Sequence, residues 1–337
     1  MIQEAIEKKL FQLKNLTGQE METVMEEIMT GKVDTPWIVT FLIAMNKKGE
    51  TTEELTAAVS VMRKHVTRIS VHKDTILDTC GTGGDKKGTF NISTAVAFVA
   101  CASGITVAKH GNRSVSSFCG SADILEATGI NINMEKDKIE KCLNEIGIAF
   151  LFAPNLHPAM KYAMPARRQI GTRTMFNILG PLSNPAGATH QLVGVYDSHW
   201  TEILARVLEN LGTVHAMVVH GEDGLDEITT TTKTFVSEVY KGELKNFEIQ
   251  PENLGFKRAD LEELSGGDVS INAKILMDIL NGKPGPRRDI VVLNAAAAIY
   301  VADKAKSIQE GIKLASEVID SGEALKKLEL LKEYSSR

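Results

Sequence analysis

Residues 75–85 read Thr75-Ile76-Leu77-Asp78-Thr79-Cys80-Gly81-Thr82-Gly83-Gly84-Asp85. A short β-prone run, Thr75 to Asp78, stops at a glycine cluster. An apolar helix follows from Ser93 to about Ala102, and Ile105-Thr106-Val107-Ala108 then reads as a second strand. Strand, glycine turn, helix, strand is the grammar of an α/β unit with a largely parallel sheet. The alternation continues with a helix over about 122–127 and strands over 148–152, 192–196 and 216–219. Paired strands are expected within 234–249, and helices from about residue 271 onward. The run Ala295 to Ala298 reads as close helix packing.

Upstream of residue 75 the pattern differs. Residues 1 to about 70 read as helices only. Thr17 with Glu20, and Thr51 with Glu54, form capping-box patterns. Met21, Val24, Met25, Ile28 and Met29 recur at helical spacing before Gly31. Thr35 followed by Pro36 suits an N-cap and a first helical position. The expected organisation is a small all-helical domain over 1–70 and a larger α/β domain over 71–337. The segment 155–190, rich in proline, stays open between a hinge and a contribution to the helical domain.

Composition bounds the function. The 337 residues are 43% hydrophobic and 24% charged, ordinary for a globular chain of about two domains. Lys plus Arg total 38 against 43 Asp plus Glu, a net charge of -5 that argues against a sequence-independent nucleic-acid binder. Cys80, Cys101, Cys119 and Cys142 are scattered without zinc-site spacing and suit a reducing compartment. No leader-like start and no apolar run of ~18 residues is visible. A cytoplasmic protein with no membrane partner is expected.

Five clusters carry chemistry. Gly81 to Asp85 at a strand end lets the backbone approach a ligand and present amides in a concave nest, where phosphate or diphosphate fits. It is neither a Walker A loop nor a dinucleotide GxGxxG, and a tight turn without a ligand answers to the same residues. Thr89-Phe90-Asn91-Ile92-Ser93-Thr94 enters the apolar helix, where hydroxyls and amides serve an anion or simple N-capping by Ser93 or Thr94. Lys109-His110-Gly111-Asn112-Arg113 and the serines Ser114, Ser116, Ser117 and Ser121 form a basic, hydroxyl-rich loop suited to a phosphorylated sugar. Asp226-Glu227, among hydroxyls, suits Mg²⁺ shared with substrate phosphates. Arg167-Arg168, with His157 upstream, offers an arginine for a carboxylate or an ordinary helix-surface pair.

With Arg173-Thr174-Met175-Phe176-Asn177-Ile178-Leu179-Gly180-Pro181-Leu182-Ser183-Asn184-Pro185, these motifs occur in an order that closely resembles the anthranilate phosphoribosyltransferases, relatives of the pyrimidine nucleoside phosphorylases. The resemblance spans nearly the whole chain. It implies the nucleoside phosphorylase-like phosphoribosyltransferase fold, homodimers joined through the helical domain, and transfer of a phosphoribosyl group from 5-phosphoribosyl 1-diphosphate to anthranilate. It assigns Gly81, Gly84, Asp85, Thr89, Asn91, Ile92, Ser93 and Thr94 to the diphosphate and ribose. Lys109, His110, Gly111, Asn112, Arg113, Ser114, Val115, Ser116, Ser117 and Ser121 would wrap the phosphoribosyl group. Gly81, Asn112 and Arg167 would meet anthranilate, with His110 and His157 along its route. Ser93, Asp226 and Glu227 would hold Mg²⁺, two ions per monomer, and no side chain is assigned as a catalytic acid or base. Phe118-Cys119 stands where the family often carries a basic residue, which puts a phosphate contact there in doubt.

Two other readings compete. A pyrimidine nucleoside phosphorylase shares the fold, but Asp226-Glu227 and the Gly81–Asp85 loop favour a diphosphate substrate. A non-catalytic nucleic-acid-binding relative would be expected to lose the metal carboxylates and gain basic surface, whereas this chain keeps both carboxylates and is net acidic.

Overall fold

The computed structural model describes residues 1–113 and 119–336. The chain opens with helices α1 (Ile2–Lys8), α2 (Gly18–Met29), α3 (Thr35–Lys48) and α4 (Thr52–Lys64). Both expected capping boxes form, Thr17 with Glu20 on α2 and Thr51 with Glu54 on α4. The start of α3 lies one residue earlier than the sequence reading has it. Asp34 is the extended N-cap residue and Thr35 is already helical, which Pro36 tolerates because an amide in the first turn needs no intrahelical partner.

Strands and helices then alternate: β1 (Ile76–Gly81), α5 (Ile92–Ala102), β2 (Thr106–Gly111), α6 (Ser121–Ala127), α7 (Lys136–Glu145) and β3 (Ile148–Phe152). Three helices follow, α8 (Ala153–Leu156), α9 (Met160–Ile170) and α10 (Met175–Leu182). Next come β4 (His190–Gly194), α11 (His199–Asn210), β5 (His215–Gly221), β6 (Thr234–Tyr240) and β7 (Glu243–Ile249). The chain closes with α12 (Val269–Leu280), α13 (Pro286–Val301), α14 (Ile308–Asp320) and α15 (Glu323–Ser336). One seven-stranded sheet runs β3-β2-β1-β4-β5-β6-β7. Strands β1 to β5 are parallel, and β6 and β7 add as antiparallel neighbours. The strand order reverses between β1 and β4, the position where open α/β sheets leave a crevice at the strand carboxyl ends.

The sheet is covered on both faces, and the two-residue strand period sorts the core. Leu192, Met217 and Val219 join a core with α5 and α13. Val193, Ala216 and Val218 join the other with α11, the N-terminal helices and residues of α9 and α10. Helix α9 packs on α2 and α3, and α10 on α3 and α4, so the proline-rich segment adds helices to the N-terminal bundle. Ala295 to Ala298 are wholly buried on α13, and a Cβ on Gly311 of α14 would overlap the Ala296 carbonyl. Small residues on both helices permit that approach, as the alanine run predicts.

A buried ion pair ties the bundle. The Glu54 carboxylate accepts from the amides of Leu16 and Thr51 at 2.8 Å each, from the Thr51 hydroxyl at 3.0 Å and from Lys48 Nζ at 2.8 Å. Both side chains are buried, at 1% and 0% exposure. Removing one partner of such a pair leaves an uncompensated buried charge. Glu54→Gln should therefore lower the unfolding free energy by about 3 kcal/mol in urea titrations. A loss below about 1 kcal/mol, the range of an exposed pair, would show that the pair does not hold the bundle together.

Candidate active site

Four of the parallel strands end in glycine: Gly81 on β1, Gly111 on β2, Gly194 on β4 and Gly221 on β5. Each is glycine for room. A Cβ on Gly81 would lie 2.6 Å from Asp226 Oδ2, and one on Gly194 would overlap the Asp226 backbone. On Gly111 it would strike Ser121 and Phe150, and on Gly221 the Asp223 carboxylate. The loop after β5 can therefore lie directly on the ends of β1 and β4, bringing Asp226 and Glu227 to the glycine loop.

That loop turns through left-handed Gly83, Gly84, Lys86 and Gly88. The Thr82 amide donates to the Gly194 carbonyl at 2.9 Å. The Gly83 amide donates to Asp226 Oδ2 at 2.8 Å, and Arg173 donates to the Gly84 carbonyl. The Arg173 guanidinium lies 3.7 Å from the centre of the Tyr196 ring. Asp85 accepts from the Lys87 amide at 3.2 Å.

Burial and mutual repulsion dominate the electrostatics here. Burial raises the Asp85 carboxyl, with nearby Asp223 adding to the shift. Asp226 is pushed up to about 6 by burial and then by Asp85. Glu227 is raised well above the carboxylate range by burial and then by Asp226, while Lys109 and a hydrogen bond from the Ser93 backbone oppose the shift. Crowded, buried carboxyls of this kind favour their protonated forms until a cation approaches.

Lys109 does not extend into the loop that follows it. It is buried beneath the site, donating to the Thr79 carbonyl at 2.5 Å, and its charge reaches Asp78 and Glu227. Asp78 is buried mid-strand, where it accepts from the His110 amide at 3.0 Å and from Asn184 Nδ2 at 2.7 Å.

The next residue on β2 faces a different environment. His110 and His157 are both buried, with Nε2 atoms 3.1 Å apart. Burial lowers His157 to about 4 and His110 well below its ordinary value, so both rings are neutral at pH 7. The Gly180 carbonyl takes a hydrogen bond from His110. In neutral His110 the Nε2 is then the acceptor and His157 the donor. Arg167 is half-buried on α9, with Met164 Sδ at 3.8 Å and the Phe176 ring centre at 5.8 Å. No ion pair engages it among the described residues.

The other residues singled out from sequence are placed as follows. Asn91, not Ser93 or Thr94, is the N-cap residue of α5, and its side chain bridges the Cys119 carbonyl at 3.1 Å and Asn272 at 3.3 Å. Ile92 is buried in the core, and the Ser93 carbonyl accepts from the Thr79 hydroxyl at 3.1 Å. Thr89 forms a β-bridge with Ser265, and the Thr94 hydroxyl is buried without a partner among the described residues. Arg113 turns to α6, pairing with Asp123 at 2.8 Å and Glu126 at 2.6 Å. The Asn112 carbonyl accepts from the Ser121 hydroxyl at 3.3 Å. Ser114, Val115, Ser116, Ser117 and Phe118 lie outside the described residues. Sequence reasoning passed over Tyr196 and Asn272 and gave Arg173 no role, because each reaches the site from a distant element without a local spacing signal; it gave Asp223 no role because an acidic residue in a surface loop carries no signal of its own.

The architecture and site define a glycosyl transferase built from a helical bundle and an α/β part. That family's helical bundle domain matches residues 3–66 and its a/b domain residues 73–325. An anthranilate phosphoribosyltransferase from Petrotoga mobilis is 51% identical over 98% of this chain and 96% of its own length. The crystal structure of the Thermus thermophilus anthranilate phosphoribosyltransferase superposes with a TM-score of 0.94 at 41% identity, covering 100% of this chain and 99% of that one. The Saccharomyces cerevisiae enzyme in complex with PRPP and Mg gives 0.90 at 27% identity, covering 99% and 98%. Within the glycosyl transferases, the chain belongs to the anthranilate phosphoribosyltransferase family.

The histidine pair makes a pH prediction. The unfolded chain protonates His157 near ~6.5, whereas the folded protein keeps it neutral to about 4. Its stabilising contribution is then full above ~6.5 and is lost as the pH falls through about 4. Urea midpoints of His157→Gln should decline less steeply than those of the wild type between those values. Parallel profiles would mean that His157 is not held neutral by the fold.

Proposed function

We infer that this chain catalyses transfer of the phosphoribosyl group of 5-phosphoribosyl 1-diphosphate to the amine of anthranilate, giving N-(5-phosphoribosyl)anthranilate and diphosphate. The observation that carries the assignment of the site is the meeting of the glycine loop with Asp226 and Glu227 at the β1–β4 crevice. Amides of the 81–85 loop suit the diphosphate, and the hydroxyls of Thr89 and Ser93 continue that polar surface toward the ribose. Lys109 supplies positive charge from beneath, and Asn112 with Ser121 frames the phosphoribosyl side.

Magnesium is the metal of the family reaction. The donor set fits it: hard carboxylate oxygens with raised proton affinity, one or two per ion, leave coordination positions for substrate oxygens. Asp226 and Glu227, with Ser93, would hold it. We propose two ions per monomer, with Asp85 beside the second. Bound Mg²⁺ supplies neutralisation of the charge that develops on the departing diphosphate.

The residues around the acceptor position rather than activate it. The aromatic amine is neutral at pH 7, and its lone pair forms the C1–N bond as the C1–O bond to diphosphate breaks. His110 and His157 present neutral rings along the amine's route, and Arg167, with no carboxylate partner among the described residues, can bind that of anthranilate. We place Arg167 and His157 in a unit made of residues 1–70 with part of 155–190, and the glycine loop and carboxylates in the α/β unit that makes up the rest of 71–337. Closure between the two would align the reactants and exclude water.

We also propose a cytoplasmic homodimer joined through the helical part, where Phe11, Leu13 and Ile43 are exposed at 64%, 55% and 53%. Exposed apolar side chains on neighbouring elements suit a shared interface. In sedimentation experiments Ile43→Glu should shift a dimer toward monomer. Wild-type protein sedimenting as one chain would remove that reading.

The reaction itself is tested by loss of anthranilate fluorescence with 5-phosphoribosyl 1-diphosphate, with and without Mg²⁺. Metal-dependent loss with equimolar diphosphate release is expected. Asp226→Asn should reduce turnover about 100-fold at limiting Mg²⁺. Arg167→Met should raise the KM for anthranilate at least ~10-fold while leaving that for the sugar diphosphate near its original value. No fluorescence loss from folded protein would overturn the activity. Unchanged kinetics in either variant would overturn that residue's assignment.

A further inference from the structure

The carboxylates Asp226 and Glu227 stand on a loop, and a loop holds a pair of charges in register only if something holds the loop. On one side stands Asp223. Its Oδ2 accepts from the hydroxyls of Thr229, at 2.6 Å, and Thr231, and its Oδ1 accepts from the Leu225 amide at 3.1 Å. The Thr229 amide in turn donates to the Thr234 hydroxyl at the start of β6, at 3.0 Å.

On the other side stands a residue 66 positions away from the loop. Asn294, on α13, is wholly buried. Its Oδ1 accepts from the Ile228 amide at 2.9 Å, and its Nδ2 donates to the Ile228 carbonyl at 2.7 Å. The same Nδ2 donates to the Ile290 carbonyl at 2.9 Å, which locks the carboxamide's own orientation. Ile228 directly follows Glu227 and is buried at 0% exposure, so water cannot replace these bonds. A carboxamide that satisfies both backbone groups of one residue fixes its place and its direction together, as a strand neighbour would.

We propose that Asn294 is the positioning residue for the Asp226–Glu227 carboxylate pair, setting the pair against the glycine loop and thereby the Mg²⁺ concentration at which the sugar diphosphate binds. The inference rests on the metal role given to those carboxylates above. Asn294 acts through the Ile228 backbone and touches neither carboxylate. Leucine would fill a similar volume at this position, yet it would leave an amide and a carbonyl buried without partners.

The test uses the intact enzyme without anthranilate, so that no turnover occurs. Binding of 5-phosphoribosyl 1-diphosphate is measured calorimetrically across a series of Mg²⁺ concentrations. Asn294→Asp keeps the shape and the acceptor and loses the donor. It should require about tenfold more Mg²⁺ for half-maximal affinity, the size of effect typical when a residue supporting metal ligands is changed. Val291→Ala, a cavity in the same buried helix, should lower the melting temperature and leave the Mg²⁺ requirement unchanged. If Asn294→Asp fails to fold, Asp223→Asn loosens the other anchor and should shift the Mg²⁺ requirement in the same direction. A melting-temperature loss in Asn294→Asp with wild-type Mg²⁺ dependence overturns the proposal, as does wild-type dependence in Asp223→Asn. Asp226→Asn separates the levels. If it too binds as the wild type does, the metal assignment has failed; if it loses Mg²⁺-dependent binding while Asn294→Asp does not, only the role of Asn294 has failed.

Discussion

The close approach of one loop to the ends of two strands is the constraint on which the rest of this structure depends. Gly81 and Gly194 are register partners at the carboxyl ends of β1 and β4, and the Asp226 backbone and carboxylate fill the space where their Cβ atoms would be. None of the four strand-terminal glycines has a left-handed backbone, so room and not turn geometry selects the residue. Strand order adds the second half of the argument. Reversal between β1 and β4 leaves no crossover helix over that edge, and the 221–231 loop can enter from β5 and cover the crevice mouth.

Charge at the site is arranged in layers. Asp85, Asp226 and Glu227 crowd the mouth, each carboxyl raised by burial. Lys109 lies beneath, and Arg173 lies beside them on Tyr196, bonded to the Gly84 carbonyl. These two cations soften the repulsion without removing it, which leaves a place where a divalent cation gains more than at an ordinary acidic surface. One residue along β2 the field changes sign of purpose. His110 and His157 are kept neutral, so this side, where we propose the aromatic amine enters, offers hydrogen bonds and apolar ring surface without a second charge. Strand alternation produces this separation, because Lys109 and His110 point to opposite faces of the sheet.

Much of this was legible before the structure, and the boundary has physical causes. The apolar run Ile148 to Phe152 reads as a strand, and β3 has those limits. Glycine at the end of a run reads as a stop, yet β1 continues through Gly81 and β2 through Gly111 because ladder pairing needs only the backbone. The prolines at 165 and 181 argue against helix, yet both lie inside helices, α9 and α10, that pack on the N-terminal bundle. Burial of an apolar face there outweighs the lost hydrogen bonds. Motif residues were legible because phosphate chemistry concentrates glycine, hydroxyl and acidic residues in short runs. Their supports were not: Asn272 and Asn294 sit alone in helices, and only the tertiary fold reveals that each reaches back to a loop more than a hundred or about sixty residues earlier.

That asymmetry follows from the kind of catalysis proposed for the site. On that proposal no side chain exchanges a proton or forms a covalent bond with substrate, so the rate would rest on where dipoles and charges stand. Positioning of that sort cannot be confined to the residues that touch the ligand. A carboxylate pair on a free loop would relax toward solvent and away from its neighbours, since burial and mutual repulsion both raise its energy. The loop must therefore be tied at several points by groups that do not themselves titrate or bind. The bidentate carboxamide of Asn294 and the hydroxyls gathered by Asp223 meet that requirement.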